Sequence, residues 1–246
     1  MTAPVNKDNI IVGAGRLLKC EEEDVASIVS GTDDIVLSTA PDTTPQVDDI
    51  IFVTGIDNYE DAEIYTISVW DSTTLTITVN ESISNDQGAA GGKVVFLSRG
   101  GRALGGTDDG TEISGSKDFH DSQAAEAPVT LKKTITQYTG NATFNLLEAT
   151  LDNLLLAMGP GDVDSGTLTI AVPNDGHVEE YGLRLETKGP AGVTTRKYMM
   201  PRLVSVGDGG HQYTKGGNTV IATEGEMLPV YNDSINKWEF CKIQDS

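Results

Sequence analysis

The sequence predicts a mainly β protein: a β-sandwich with one short flanking α-helix, plus an inserted small β-barrel-like domain. Three observations carry this. Runs rich in Thr, Val and Ile recur along the chain with alternating apolar and polar positions, the period of a half-buried strand. Clusters of Gly, Pro, Asn and Asp separate them, and glycine alone supplies 27 of the 246 residues, as a chain of many tight turns requires. Helical spacing occurs in one place only.

Taken in order, MTAPVNKDNIIVGAG has too little apolar content to pack alone and reads as a flexible arm. GRLLKC is the first strand. The acid cluster Glu21-Glu22-Glu23-Asp24 reads as a solvated junction. Five strand runs follow, DDIVLST, DIIFVTG, EIYTISVW, TTLTITVN and KVVFLS, in the short, regularly spaced pattern of a small barrel or sandwich.

GGTDDG (105–110) reads as a turn; it lacks the alternating oxygen ligands and closing Glu of a calcium loop. In the strand 111–120, Glu112, Ser114, Ser116, Asp118 and His120 share one entirely polar face, and Ile113 and Phe119 lie on the other. VTLKKTITQY (129–138) and ATFNLLE (142–148) alternate likewise, and Gly140-Asn141 between them predicts a hairpin turn. The helix is expected at 150–158, with Thr150 as N-cap, Asp152 in the first turn and Gly159-Pro160 as its stop. Leu151, Leu154, Leu155 and Met158 form its apolar stripe. The last third returns to strands, GTLTIAV, EEYGLRLET, TTRKYMMPRLVSV, GNTVIATEGEMLPVY and NKWEFCKI, with Pro201 and Pro229 marking edges or bulges.

Charge divides the chain. Residues 24–98 hold 13 acids and one base, against 24 acids and 16 bases in the remainder. The expected organisation is therefore a body made of 1–23 and 99–246, with an acidic all-β domain inserted at 24–98. The insert is expected to be self-contained and to face outward.

A net charge of -20 argues against a protein that grips nucleic acid, which needs Lys and Arg to replace counterions. It is compatible with a protein that DNA must pass without sticking. No apolar run approaches the ~20 residues of a membrane span, and the N-terminal residues lack a secretion pattern. Cys20 and Cys241 are the only cysteines and read as reduced thiols on strands. Gly13-Ala14-Gly15 lacks the βαβ context of a dinucleotide site, and neither a P-loop nor a GxSxG elbow occurs. His120, His177 and His211 are scattered, without metal-ligand spacing, and read as surface histidines. The expectation is a protein that is not an enzyme and holds no cofactor or metal.

The order of elements carries a resemblance. GGTDDG, a loop ending in AEAPV, TLKKTITQYTGNATFNLLE and the helix TLDNLLLAMG are followed by RKYMMPRLVSV and KGGNTVIATEGEMLPV. This series, over 1–23 and 99–246, resembles the tail tube (major tail) protein of long-tailed bacteriophages; the 24–98 insert departs from that pattern. The resemblance implies a structural subunit forming hexameric rings whose sheets join around a lumen, with the rings stacked into a tube that conducts the genome. It implies self-association, other tail proteins at the tube ends, DNA passing without specific binding, no membrane partner, and a place in the virion tail after assembly in the host cytoplasm.

Combined with the strand alternation, this makes Glu112, Ser114, Ser116, Asp118, His120 and Lys132 candidates for the lumen face. Thr2, Pro4, Val5, Ser122, Gln123 and Glu126 are candidates for ring-to-ring contact. Two other readings compete: a virion decoration or adhesin-type β-protein whose insert binds a host-surface ligand, and a hydrolase with its site hidden in the Gly-Asp loops.

Overall fold

The structure, a computed structural model, describes residues 15–28, 32–54, 63–81, 83, 92–124, 127–171, 178–189, 193–207, 210–212, 220–232, 235 and 237–246; the side chains at 63, 108–109, 121–124, 127–133 and 210–212 lie outside the description. It is mainly β, as expected.

β1 (Arg16–Lys19) buries Leu17 and Leu18 on its two faces and passes through one residue, Cys20, into β2 (Glu21–Ile28). With β3 (Asp34–Leu37), β4 (Ile50–Thr54), β5 (Glu63–Asp71), β6 (Thr76–Val79) and β7 (Lys93–Phe96), β2 closes a barrel in the order β2-β3-β6-β5-β4-β7. Alternating residues such as Val25, Ile35, Ile51, Ile67, Ile77 and Phe96 fill its interior. The five expected runs are β3 to β7.

The sixth strand corrects the reading of Glu21–Asp24 as a junction. Those residues pair with Phe96–Lys93, and their carboxylates tolerate the strand because they stay half-buried or exposed. Lys93 lies 3.6 Å from Glu22, and the Thr39 hydroxyl donates to Glu23.

The chain then forms β8 (Arg102–Ala103), the long pair β9 (Thr107–Ala124) and β10 (Ala127–Leu146), and helix α1 (Leu151–Met158). β11 (Gly161–Asp164) and β12 (Thr167–Ile170) are joined by Ser165 and Gly166, both at positive φ, the geometry of a two-residue type I′ hairpin. β13 (Glu180–Lys188), β14 (Thr195–Ser205), β15 (Gly210–Gln212), β16 (Val220–Met227), β17 (Val230–Asn232), β18 (Lys237–Glu239) and β19 (Lys242–Asp245) complete it. The main sheet runs β8-β1-β13-β14-β16-β10-β9, with β15 beside β16 and β19 beside β14. A register shift in the β13–β14 pair lies at Pro201, and Pro229 separates β16 from β17.

This sheet folds over on itself. β14 and β16 are paired only from Leu203↔Met227 to Ser205↔Gly225. One continuous core nevertheless takes Leu17, Leu183, Leu185 and Met200 from one side of that junction and Ala142, Phe144, Leu146 and Ile221 from the other. The two halves are thus layers of a sandwich around a shared core, and their outward faces point away from each other.

Three local expectations are corrected. Gly140-Asn141 is not a turn: β10 runs through it, Gly140 pairing with Gly115 on one side and Met227 on the other. Glycine serves there as a spacer, since a Cβ on Gly140 would meet Met227 Sδ at 3.2 Å and one on Gly115 would meet the Tyr138 hydroxyl at 2.6 Å. Within GGTDDG, Thr107 onward already belongs to β9, with a register shift at Asp109 and Gly110 where Gly110 takes φ +85°.

The helix has its expected cap, Thr150 accepting from the Asn153 amide, but it is turned about its axis. Asn153, Leu156 and Ala157 are buried, Leu151, Leu154 and Leu155 are half-buried, and Met158 is 46% exposed. Asn153 is held inward by hydrogen bonds. Its Nδ2 donates to the carbonyls of Leu104 and Glu148, and Arg102 donates to its Oδ1, each at 2.9 Å. Satisfying a buried amide so fully sets the helix rotation.

The barrel is attached through a core of its own. Ile50, Phe52, Ile64, Val95 and Leu97 pack on Cys20, Met199 and Val230. Arg184 donates to the carbonyls of Leu97 and Gly100 at 3.2 and 2.6 Å, and Lys197 to that of Ser98 at 2.9 Å. The insert is therefore not self-contained as expected. Its interior is its own, but its base is shared with the sandwich. Met199 and Arg184 are cross-strand partners on the outward face of the β1-β13-β14 layer, so the barrel covers that face.

Candidate functional site

The outward face of the other layer, β9-β10-β16, is uncovered among the described residues. In an antiparallel ladder, residues directly opposite share a face, so the register defines it. Glu112, Thr143 and Glu224 form one row, and Ser114, Asn141 and Glu226 the next. Ser116 and Thr139, Asp118 and Gln137, and His120 and Thr134 continue it along the long strand pair. A register shift between Ile135 and Gln137 lets the ladder pass Thr136 without losing the face.

All five candidates from 112 to 120 are exposed. Lys132 is placed opposite Ser122, in step with His120 and Thr134. Ser122 and Gln123 lie in β9 near the end of the long pair, their side chains outside the description; Thr2, Pro4, Val5 and Glu126 lie outside the described residues. The structure thus brings the candidates of 112–120 and Lys132 onto one ladder.

Sequence reasoning missed the third strand of this face. Ala222, Glu224 and Glu226 alternate with the buried Ile221, Thr223, Gly225 and Met227, a period-two signal present in VIATEGEM. Which acids they adjoin depends on the pairing of β16 with β10, far apart in sequence. Apart from Ala222, the described side chains of the face are hydroxyl, amide, imidazole or carboxylate.

Two further features surround the face. β9 is the last strand of the sheet, so its outer edge carries backbone donors and acceptors without a strand partner among the described residues, whereas the opposite edge, β8, is two residues long. β16 pairs with β10 only from Gly140 to Leu146. The remainder of the β9–β10 pair therefore projects as a two-stranded arm.

On the arm's other face, Phe119 and Ile135 are cross-strand partners at 53% and 52% exposure. Tyr138 stacks on Phe240 at a centroid distance of 4.8 Å, and Lys117 Nζ lies 5.6 Å over the Tyr138 ring. Phe119, on the face opposite the polar one as expected, extends past the core, because the sandwich ends near Ala142 while the strand continues.

Among the described residues, no group of three or more His, Cys, Asp or Glu side chains is placed to hold a metal ion, and no helix is long and apolar enough to cross a membrane. Cys20 and Cys241 are free thiols, lying in short connections rather than on strands, Cys20 alone between β1 and β2 and Cys241 with Phe240 between β18 and β19. Burial pushes Cys20 up to about 12 and Cys241 up to about 11. Comparison with protein-family models and with curated proteins finds no match to this chain.

Proposed function

We propose that this chain is a structural subunit of a phage tail tube, polymerising as stacked hexameric rings whose lumen conducts the genome into the host. The observation that supports it best is the pairing of two opposite outward faces: a polar layer, uncovered among the described residues, on one side, and a layer capped by the barrel on the other. A tube wall needs that asymmetry. The polar layer suits a water-filled bore, where Glu112, Asp118, Glu224 and Glu226 would repel phosphates and leave DNA mobile. The barrel, with its acid excess, suits the outside.

The projecting arm suits contact between copies. A two-stranded ribbon with exposed apolar side chains is marginal in water on its own, and an open strand edge pairs with another chain unless blocked. Residues 115–139 carry three lysines and three acids in a chain of net charge -20, so the arm is repelled by a second copy less than the chain as a whole. Identical subunits joined head to tail by a closing rotation form a ring. On this reading the protein acts in the virion tail, with itself, other tail proteins and passing DNA as partners, and is no enzyme.

Negative-stain microscopy of the purified full-length chain tests it, beside a Phe119→Ser, Ile135→Ser variant. Rings or tubes from the parent, and dispersed folded subunits from the variant, are expected. Discrete monomers of the parent at high concentration would overturn the proposal.

A further inference from the structure

A cavity of about 250 Å³ opens beneath α1, at the end of the sandwich away from the arm, between the helix and the β1–β8 edge. Lys19 and Arg102 line it, and they are direct cross-strand partners. Like charges in that position repel. Neither has an ion-pair partner among the described residues; Arg102 donates instead to the neutral Asn153 side chain at 2.9 Å. Two cations side by side, without an ion pair among the described residues, stand out in a chain of net charge -20.

A second observation concerns the cavity floor. Tyr181 is 5% exposed, lines the cavity, and its hydroxyl has no hydrogen-bond partner among the described residues. A buried hydroxyl left unpaired is costly, and a ligand acceptor would relieve it. Leu155, Leu156 and Val178 add apolar wall.

We propose that this cavity binds a carboxylate on a short apolar stem, with Lys19 and Arg102 facing the charge, Tyr181 donating to an oxygen and the leucines covering the stem. Asp152 and Glu179 also line the cavity, and they select against a doubly charged phosphate more strongly than against a singly charged carboxylate. The carboxylate comes either from a free small acid or from an Asp or Glu side chain of a second copy. The proposal does not depend on the tube reading.

Sodium butyrate serves as the probe, titrated into the full-length protein against sodium chloride at matched ionic strength, with 1-butanol as the uncharged control. The Leu155 and Leu156 methyl resonances and the Tyr181 ring report binding. Saturable shifts with butyrate are expected, weakened about tenfold in Lys19→Gln and in Tyr181→Phe, since each removes one hydrogen bond to a charged group. Tyr181→Phe is also expected to keep or raise the Tm, because the hydroxyl it deletes has no partner among the described residues. Absence of saturation, equal binding by both variants, or equal binding of butanol would overturn the proposal. Sedimentation velocity separates the two sources. Loss of self-association in Lys19→Gln and competition by butyrate assign the site to a second copy; unchanged self-association assigns it to a free acid.

Discussion

Gly182 of the sandwich and Val95 of the barrel lie in direct contact: a Cβ on Gly182 would stand 2.6 Å from Val95 Cγ1 and 3.0 Å from Cys20 Cβ. The barrel therefore sits on the sheet at backbone distance. Gly182→Ala is expected to destabilise the protein by about 1–3 kcal/mol, the usual cost of overpacking a filled core. Urea unfolding measures it, and an unchanged midpoint would show that the barrel is only loosely seated.

Removal of the barrel has a larger expected effect. Replacing 27–97 with a Gly/Ser linker uncovers Met199 and Val230, both fully buried in the shared core. At about 1.5–3 kcal/mol for each such side chain, the body should lose roughly 3–6 kcal/mol. A shortened chain as stable as the full one in denaturant would contradict the shared core.

The rotation of α1 predicts unequal leucine and methionine effects. Leu156, 7% exposed, should cost about 2–5 kcal/mol when changed to Ala. Met158, on the outer side, should change stability by no more than about 0.5 kcal/mol on the same substitution. Chemical denaturation of the two variants distinguishes this from the stripe suggested by leucine spacing.

The buried thiols predict an alkaline loss of stability. Desolvation raises Cys20 from 9.0 to about 12, with the Arg184 charge opposing it, and raises Cys241 from 9.0 to about 11. Because the folded values lie above the unfolded ones, the stabilising contribution is complete below pH 9 and declines as the pH rises toward 11 and 12. Cys20→Ala should flatten the fall of the urea midpoint above pH 9. Both thiols should also resist disulfide exchange at pH 8 until the chain unfolds.

The polar ladder predicts a change in function without a change in fold. Glu112 and Asp118 are exposed, so Glu112→Lys with Asp118→Lys should shift stability by about 0.5 kcal/mol or less per site. On the tube proposal, assembled particles of the variant retain DNA at low salt and release it as salt rises. Retention equal to that of the parent would place these residues away from the bore.

The strands β3 to β7, the ends of α1 and the polarity of the 112–120 face were legible in the sequence because each depends on near neighbours. Alternation is a property of consecutive side chains, and a cap such as Thr150 needs only the amide three residues on. The polar face could be read from Glu112 to His120 for the same reason. Its completion by Glu224 and Glu226 could not, since that rests on pairing between strands about eighty residues apart in the chain.

What only the tertiary structure decided is what each ambiguous group meets. Gly140 can turn a chain or make room for a neighbour, and Met227 beside it decides for room. The acids Glu21 to Asp24 suit a loop until β7 offers them a ladder. The leucines of α1 suggested one buried stripe, but the hydrogen bonds of Asn153 to Leu104 and Glu148 turned another inward. The insert's composition marked it as separate, yet Val95 and Leu97 share a core with Met199. In each case the deciding partner is distant in sequence, and burial and hydrogen bonding with that partner outweigh the local preference.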